Sequence, residues 1–449
     1  MCHLTGATGS VLAVSSSDLA SHRLHGDYLV RLIVDGTSAP SSDSIHFSRI
    51  GDAIAAARAG RLARKETASA ACRITIDVAA GVHRASMQPS ADASVERLPL
   101  VIDVPDLTLR GTLDMPVDAK GRALGSSSAP TPTTLVASPG LVSISTGNLA
   151  DKFAEPLILV NGHPDGPAGN GAIIEGFILQ SGNPAGAVVG GNAVWAMRVN
   201  NIVVRGNQIE GGFAEPVEMR ASIGRVERNL LKGPGQSCAL CMFGPGDYTI
   251  IGNRQVGLAG RLAVLVFPTM FAAVPPGVEP YVLPATALVT ASVTNNDFRD
   301  HQEAPFGIGL RVAAVGPGAP DVVGTARVVA TDNDLSSNRW GVVVEGGILV
   351  ANTTLRGTID LTLRGNTLTG SCQNAMLVTT AGQSTAVGLA SGASLRNSTI
   401  SIALGGDIPW SSVWYSHAAG LGNVLNVDGL TMSNGSNVTY DRNKVCPVA

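Results

Sequence analysis

At 449 residues the chain exceeds the ~100–200 typical of one compact domain, so it is either several domains or one long repetitive architecture. Hydrophobic residues make up 45% and charged residues only 14%, which excludes a disordered chain, since disorder needs low hydrophobicity and high charge. Lys and Arg number 31 against 34 Asp and Glu, leaving a net charge of −3, so no global field draws the chain to nucleic acid or to an anionic membrane.

The first ten residues, MCHLTGATGS, lack the basic start and apolar run of a secretory signal, so none is expected there. Residues 1–45 read as an N-terminal extension or cap. Phe47 to Arg58 (FSRIGDAIAAAR) has helix-period apolar positions and an Ala-rich interior, which predicts a helix over 46–60 with Ser48 as its N-cap. Arg73 to Arg84 follows as an alternating strand.

From there a phrase repeats. Val204-Arg205-Gly206-Asn207-Gln208-Ile209 is echoed by Val226-Glu227-Arg228-Asn229-Leu230-Leu231 and by Ile250-Ile251-Gly252-Asn253, with the asparagines 22 and 24 residues apart. It returns around Asn296 and Asn366, more loosely around Asn333, Asn397 and Asn443, and without the Asn at Leu107–Leu113 and Ile173–Leu179. Between Asn207 and Asn229 there is room for three short strands, Ile202–Val204, Gln208–Glu210 and Val217–Met219, and for no helix. A unit of three strands and three turns is one rung of a parallel β-helix, which buries its apolar side chains against the rungs above and below. The fold class expected is therefore all-β, a single-stranded parallel β-helix over residues 61–445. An Asn at a fixed rung position can hydrogen-bond to its neighbours in a ladder, and is read as structural.

Longer intervals after Asn253 and Asn296 place loop excursions near 267–286 and 316–324, both with Pro-Gly punctuation. The most apolar stretch, Leu262 to Val278, is broken by three prolines and is too short to span a bilayer, so a strand and a Pro-rich loop are expected and no membrane span. Cys238 and Cys241 form a C-x-x-C without a second pair. They read as two small buried apolar side chains, since residues three apart on a strand face opposite ways and could chelate only across a turn. His163 and Asp165 sit in a turn-rich surface loop. Trp410, Trp414, Tyr415 and His417 form the one aromatic cluster, expected to close the C-terminal end or to stack on sugar faces, with Trp410 and Trp414 as candidate substrate-binding rings.

The stretch "FSRIGDAIAAA…RITIDVAAGVHR" and the Asn-bearing rungs resemble the right-handed parallel β-helix proteins of the pectin-lyase-like superfamily, over about residues 45 to 445. The resemblance implies a right-handed coil with the N-terminal helix as its cap. It also implies an extracellular or cell-envelope location and a polysaccharide partner. It does not choose among lyases, hydrolases, epimerases, esterases and non-catalytic surface proteins. The polygalacturonase signatures Asn-Thr-Asp, Asp-Asp, Gly-His-Gly and Arg-Ile-Lys are missing, as are those of pectin esterases and pectate lyases, so no catalytic residue is transferred.

Candidate chemistry comes instead from stacking. Aligned on the asparagine, the rungs are read as placing Asn295 and Asp332 in one column with Arg205 and Arg364, and Asp297 and Asp334 in another. With rungs ~4.8 Å apart, Asn295, Asp297, Asp332 and Asp334 form a two-by-two patch of oxygen ligands able to take Ca²⁺. Asp297, Asp334, His301, Arg339 and Arg364 are the candidate catalytic residues, for β-elimination or for glycoside hydrolysis, and Arg299 and Asp300 would contact an acidic sugar. The competing expectation is a non-catalytic structural or adhesive solenoid whose outward ion pairs only keep it soluble.

Overall fold

The computed structural model describes residues 2–5, 8–11, 18, 21, 29–36, 45–62, 72–86, 90, 92, 94–125, 131–137, 156–162, 169–182, 191–233, 238–256, 262–269, 282–301, 307–315, 322–347, 354–380, 394–395, 397–406, 408, 412–417, 422–432 and 435–436. Among them the strands form three long sheets of 14, 11 and 7 strands, and successive strands of the chain visit the three in turn. In the rung around Asn207, Ile202–Arg205 belongs to the 14-stranded sheet, Gln208–Glu210 to the 7-stranded one and Val217–Arg220 to the 11-stranded one. Each pairs in parallel with its counterpart one rung on. The chain is thus the parallel β-helix expected, and the three strands predicted around Asn207 lie within one residue of those observed.

The register explains the core. Leu109, Ile174, Val204, Val226, Ile250, Val293, Ala330 and Leu363 lie directly over one another along the 14-stranded sheet, all buried. A strand with period two presents its alternate residues inward, so stacking rungs in register turns that alternation into a continuous apolar column. After Asn253 the rungs change shape. Thr286–Thr294 and Val323–Thr331 are nine-residue strands, while the third sheet shrinks to single bridges at Asp297, Asp334 and Thr367. Leu262–Phe267 is a strand as expected, and the Pro-rich segment after it, residues 270–281, lies outside the described residues, as do 316–321.

The ladder is present. The side-chain amide of Asn207 donates to Oδ1 of Asn229 at 3.2 Å, and the same bond runs from Asn229 to Asn253, Asn253 to Asn296, Asn296 to Asn333 and Asn333 to Asn366 at 2.8–3.0 Å. Each Oδ1 also accepts the backbone N–H of the Asn before it. The left-handed corner falls one residue earlier than the Asn, at Gly206, Arg228, Gly252, Asn295, Asp332 and Gly365, with φ between 49° and 70°. Of the looser copies, Asn397 departs from the expectation: it precedes Thr399–Ala403, its strand of the 14-stranded sheet, where the ladder asparagines follow theirs. Asn443 lies outside the described residues.

At the N-terminal end the helix spans Ile50–Leu62 and packs its apolar face, Ile50, Ala53, Ile54 and Ala57, onto the first rungs. Its first amides are capped from far away. The Glu96 carboxylate accepts the N–H of Ile50 and, at 3.0 Å, that of Gly51, in place of the predicted Ser48 cap. Within the presumed extension, Arg31–Val34 is a strand of the 14-stranded sheet, paired in parallel with Ile74–Val78. The single strand expected over 73–84 is two, Ile74–Val78 and Gly81–Ser86, on different sheets. Among the described residues no helix is long and apolar enough to cross a membrane.

Candidate functional site

The bridge Asp297↔Asp334 continues the 7-stranded sheet beyond Arg254, and Thr367 follows. Because Phe298 and Leu335 point into the core, Asp297 and Asp334 point outward, stacked on adjacent rungs as the alignment predicts. Asp297 is nearly buried, yet its neighbours are charged. Arg254 Nε lies 3.3 Å from Oδ2 and Arg299 Nε 3.1 Å from Oδ1, and Arg299 Nη1 reaches to 4.0 Å from Asp334. Asp334 in turn accepts the Ser336 hydroxyl at 2.5 Å. Burial pushes the Asp297 carboxyl above the usual range and the Asp334 charge adds to this, against the opposing pull of Arg299, Arg254 and Arg122. The patch is open at one side, where the Arg299 side chain is 43% exposed. It therefore combines a carboxyl whose proton affinity burial raises, a second carboxylate one rung away and a solvent-facing guanidinium.

Asn295 and Asp332 do share a column, but with Gly206 and Gly365 at the left-handed corner. Arg205 and Arg364 belong one residue back, Arg364 pairing with Thr331. This explains their identity without a ligand, since Asn and Asp are the side chains that tolerate this backbone best after Gly. A strap that the sequence reading missed covers them. Residues 114–125 leave an early rung and run along the ladder corner, where Ala123 N–H donates to Gly252 O at 3.0 Å. Arg122, buried at the strap's tip, donates to Asn295 Oδ1 at 3.1 Å and to the Asp332 carbonyl at 3.2 Å. The Asn295 amide also donates to the Lys120 carbonyl. Among the described residues, Asp297, Asp332 and Asp334 do not form a group of converging ligand atoms, so the two-by-two oxygen patch does not assemble.

The other candidates scatter. His301 is buried beside Asn338 and Arg339, its N–H donating to Asn338 Oδ1 at 2.8 Å and its carbonyl accepting from Arg339 at 2.7 Å. Both ring nitrogens lack a hydrogen-bond partner, and burial lowers the imidazole to about 4. That leaves it neutral and shielded, a poor surface base. Arg339 is buried at the same corner, whereas Arg364 is exposed. Asp300 is exposed in a left-handed turn, 3.9 Å from Arg299. Trp410, the Trp414 side chain, His163 and Asp165 lie outside the described residues, while Tyr415 packs into the core, consistent with C-terminal closure.

Sequence reasoning also missed charge on the outer face of the 11-stranded sheet. Glu218 is fully buried, bonded to Arg220 and, at 2.7 Å, to Asn192, and Arg220 stacks 4.6 Å over Trp195. Three rungs on, Arg311 pairs with Glu345, 1% exposed. An apolar layer of Phe243, Phe267, Leu265 and Trp340 surrounds both pairs. Strand residues of type Glu-x-Arg give no hint of this, because the same spacing normally marks a solvated face. Here both pairs are closed off from solvent, so they serve packing.

Cys238 and Cys241, on the same face, are joined in a disulfide, where two free apolar side chains were expected. The bend at Ala239, just before the strand Leu240–Phe243, supplies the turn that the strand argument required.

No known family's sequence profile matches the chain, and no curated protein sequence matches it. Among solved structures it is similar to two mannuronan C-5 epimerase A-modules of Azotobacter vinelandii. For AlgE6 the identity is 12%, with 90% of this chain and 86% of that chain covered and a TM-score of 0.32. For AlgE4 it is 12%, with 90% and 95% covered and a TM-score of 0.28. It is also similar to the catalytic unit of a thermostable GH87 alpha-1,3-glucanase from Streptomyces thermodiastaticus, at 16% identity over 88% of this chain and 67% of that one, with a TM-score of 0.39.

Proposed function

We propose that this chain is a carbohydrate-active β-helix protein that acts on acidic polysaccharide, with Asp297 and Asp334 at the reacting centre. The observation that carries this reading is Asp297 itself. A carboxyl held above its ordinary range by burial, one rung from a second carboxylate and open to solvent past Arg299, is the arrangement a general acid needs beside a base or nucleophile. Arg299 and Arg254 supply planar forks suited to the carboxylate of a uronic acid, and a bound uronate would compete with Asp297 for them. Bond cleavage by hydrolysis or by β-elimination fits the pair equally.

No Ca²⁺ is required by this reading, since the carboxylates of Asp297, Asp332 and Asp334 do not form a converging group. The disulfide Cys238–Cys241, together with Cys72 and Cys372, which are also disulfide-bonded, supports an extracellular or envelope location, because such bonds persist in oxidising compartments.

A second reading, a non-catalytic surface solenoid, is favoured by the engagement of Asp297 with both Arg254 and Arg299, which alone would make the patch a set of ion pairs. The two separate on a screen of alginate, pectate and glycosaminoglycans that follows unsaturated products by absorbance and new reducing ends by colour. The wild-type chain is expected to release one or the other, and the Asp297→Asn/Asp334→Asn double variant neither, at an unchanged melting temperature. Wild-type activity in the double variant would remove this site from the reaction.

A further inference from the structure

We propose that Cys238, Cys241 and Glu215 form a redox-gated site for a divalent transition-metal ion of the zinc class, closed while the disulfide is intact and opened by reduction. The inference does not depend on the carbohydrate reading, because the three residues lie on another face of the coil. Glu215 and Cys238 are brought together by register. Val217 pairs with Leu240, so the residues two positions earlier on each rung lie side by side, and Val217 N–H donates to the Ala239 carbonyl at 3.0 Å. The bend at Ala239 then folds Cys241 back toward Cys238, with Cα atoms 5.6 Å apart. One carboxylate oxygen and the two sulfurs all lie within 4.8 Å of one another, the only such group of metal-ligating side chains among the described residues.

The donor set selects the ion class. Two thiolates and a carboxylate suit a borderline-soft cation in tetrahedral geometry, and three protein ligands leave a fourth position for water. Both sulfurs are fully buried under Phe243, Leu262 and Leu265, a dry setting that strengthens attraction between the ion and its anionic ligands. While the S–S bond exists neither sulfur can act as a thiolate, so the disulfide excludes the ion. A small dithiol gives its two hydrogens to the protein sulfurs and closes its own disulfide. Metal binding then displaces the two thiol protons as both thiolates form. The Sγ of Cys241 lies 3.1 Å from the Cys238 carbonyl, a ready acceptor for its hydrogen in the metal-free dithiol.

Co²⁺ tests this directly. The full-length chain is reduced with a dithiol, desalted anaerobically and titrated with Co²⁺, with far-ultraviolet dichroism recorded alongside. The reduced wild type is expected to take up a single Co²⁺ with sulfur-to-cobalt charge-transfer bands and the visible bands of a tetrahedral site. The unreduced chain should show neither. Cys238→Ser and Cys241→Ser should lose the charge-transfer bands, and Glu215→Gln should keep them at roughly tenfold or more weaker affinity. A reduced wild type that unfolds or stays colourless overturns the proposal. So do bands that survive in Cys238→Ser, or equal affinity in Glu215→Gln.

Discussion

Asp297 and His301 are both withdrawn from bulk water, and burial moves them in opposite directions. The Asp297 carboxyl keeps its proton to higher pH, which equips it as an acid, while the imidazole is held neutral and removed from acid-base work. For His301 the consequence is a stability effect. An imidazole that protonates near 6.5 when unfolded and near 4 when folded leaves the unfolded chain holding more protons between those values. Stability is therefore full above about 6.5 and is lost as pH falls toward 4, by roughly 3 kcal/mol over the window. Melting curves of wild type and His301→Phe across this range check the sign. The wild type is expected to lose more stability on acidification than the variant, and parallel curves would show that His301 does not contribute.

At the scale of elements, the ladder and the strand facing it behave oppositely. Asn253 sits mid-ladder, donating to the Val226 carbonyl at 2.8 Å and to Asn296, and accepting from Asn229 twice. Asn253→Ala strands several buried polar groups at once and is expected to cost on the order of 3 kcal/mol. Gln255, two residues on, is the reverse case. Register places it between Leu231 and Phe298 in the inward column of the 7-stranded sheet, where neither amide atom finds a partner. Gln255→Leu should stabilise the fold by about 1–3 kcal/mol, as the unpaired amide is replaced by a shape the column already accepts. Denaturant titrations of the two variants measure both, and a destabilised Gln255→Leu would mean that the amide has a role this packing does not show. The same scale accounts for the helix cap. Glu96 caps Ile50 from 46 residues away, a partner that no local capping pattern can reveal.

For the whole molecule, what was legible in the chain was whatever repeats. The Asn ladder, the three-strand rung, the inward columns and the stacking of Asp297 on Asp334 all follow from one period read along the sequence, because a solenoid converts spacing into contact. What was illegible departs from the period. The strap of residues 114–125 lies against rungs whose residues are more than a hundred positions distant, Arg122 reaching Asn295 and Asp332. The corner residues Asn295 and Asp332 looked like ligands because nothing local in the sequence marks their left-handed backbone, one position before the ladder. The ion pairs Glu218–Arg220 and Arg311–Glu345 went unread because nothing local records the apolar layer over them. His301 was legible as a histidine near two acids, and only the packing around it reveals that its ring is sealed off.

The measurement that bears most directly on the proposed function is the pH–rate profile of kcat/KM on an acidic polysaccharide that the product screen finds cleaved, for the wild type and for Asp297→Asn. If Asp297 is the general acid, the wild-type rate falls as pH rises through a value above the ordinary carboxyl range, and Asp297→Asn is slower by ~10²–10⁴ with that limb gone and its melting temperature unchanged. A wild-type profile without such a limb, or an Asp297→Asn variant that follows the wild type at every pH, would contradict it.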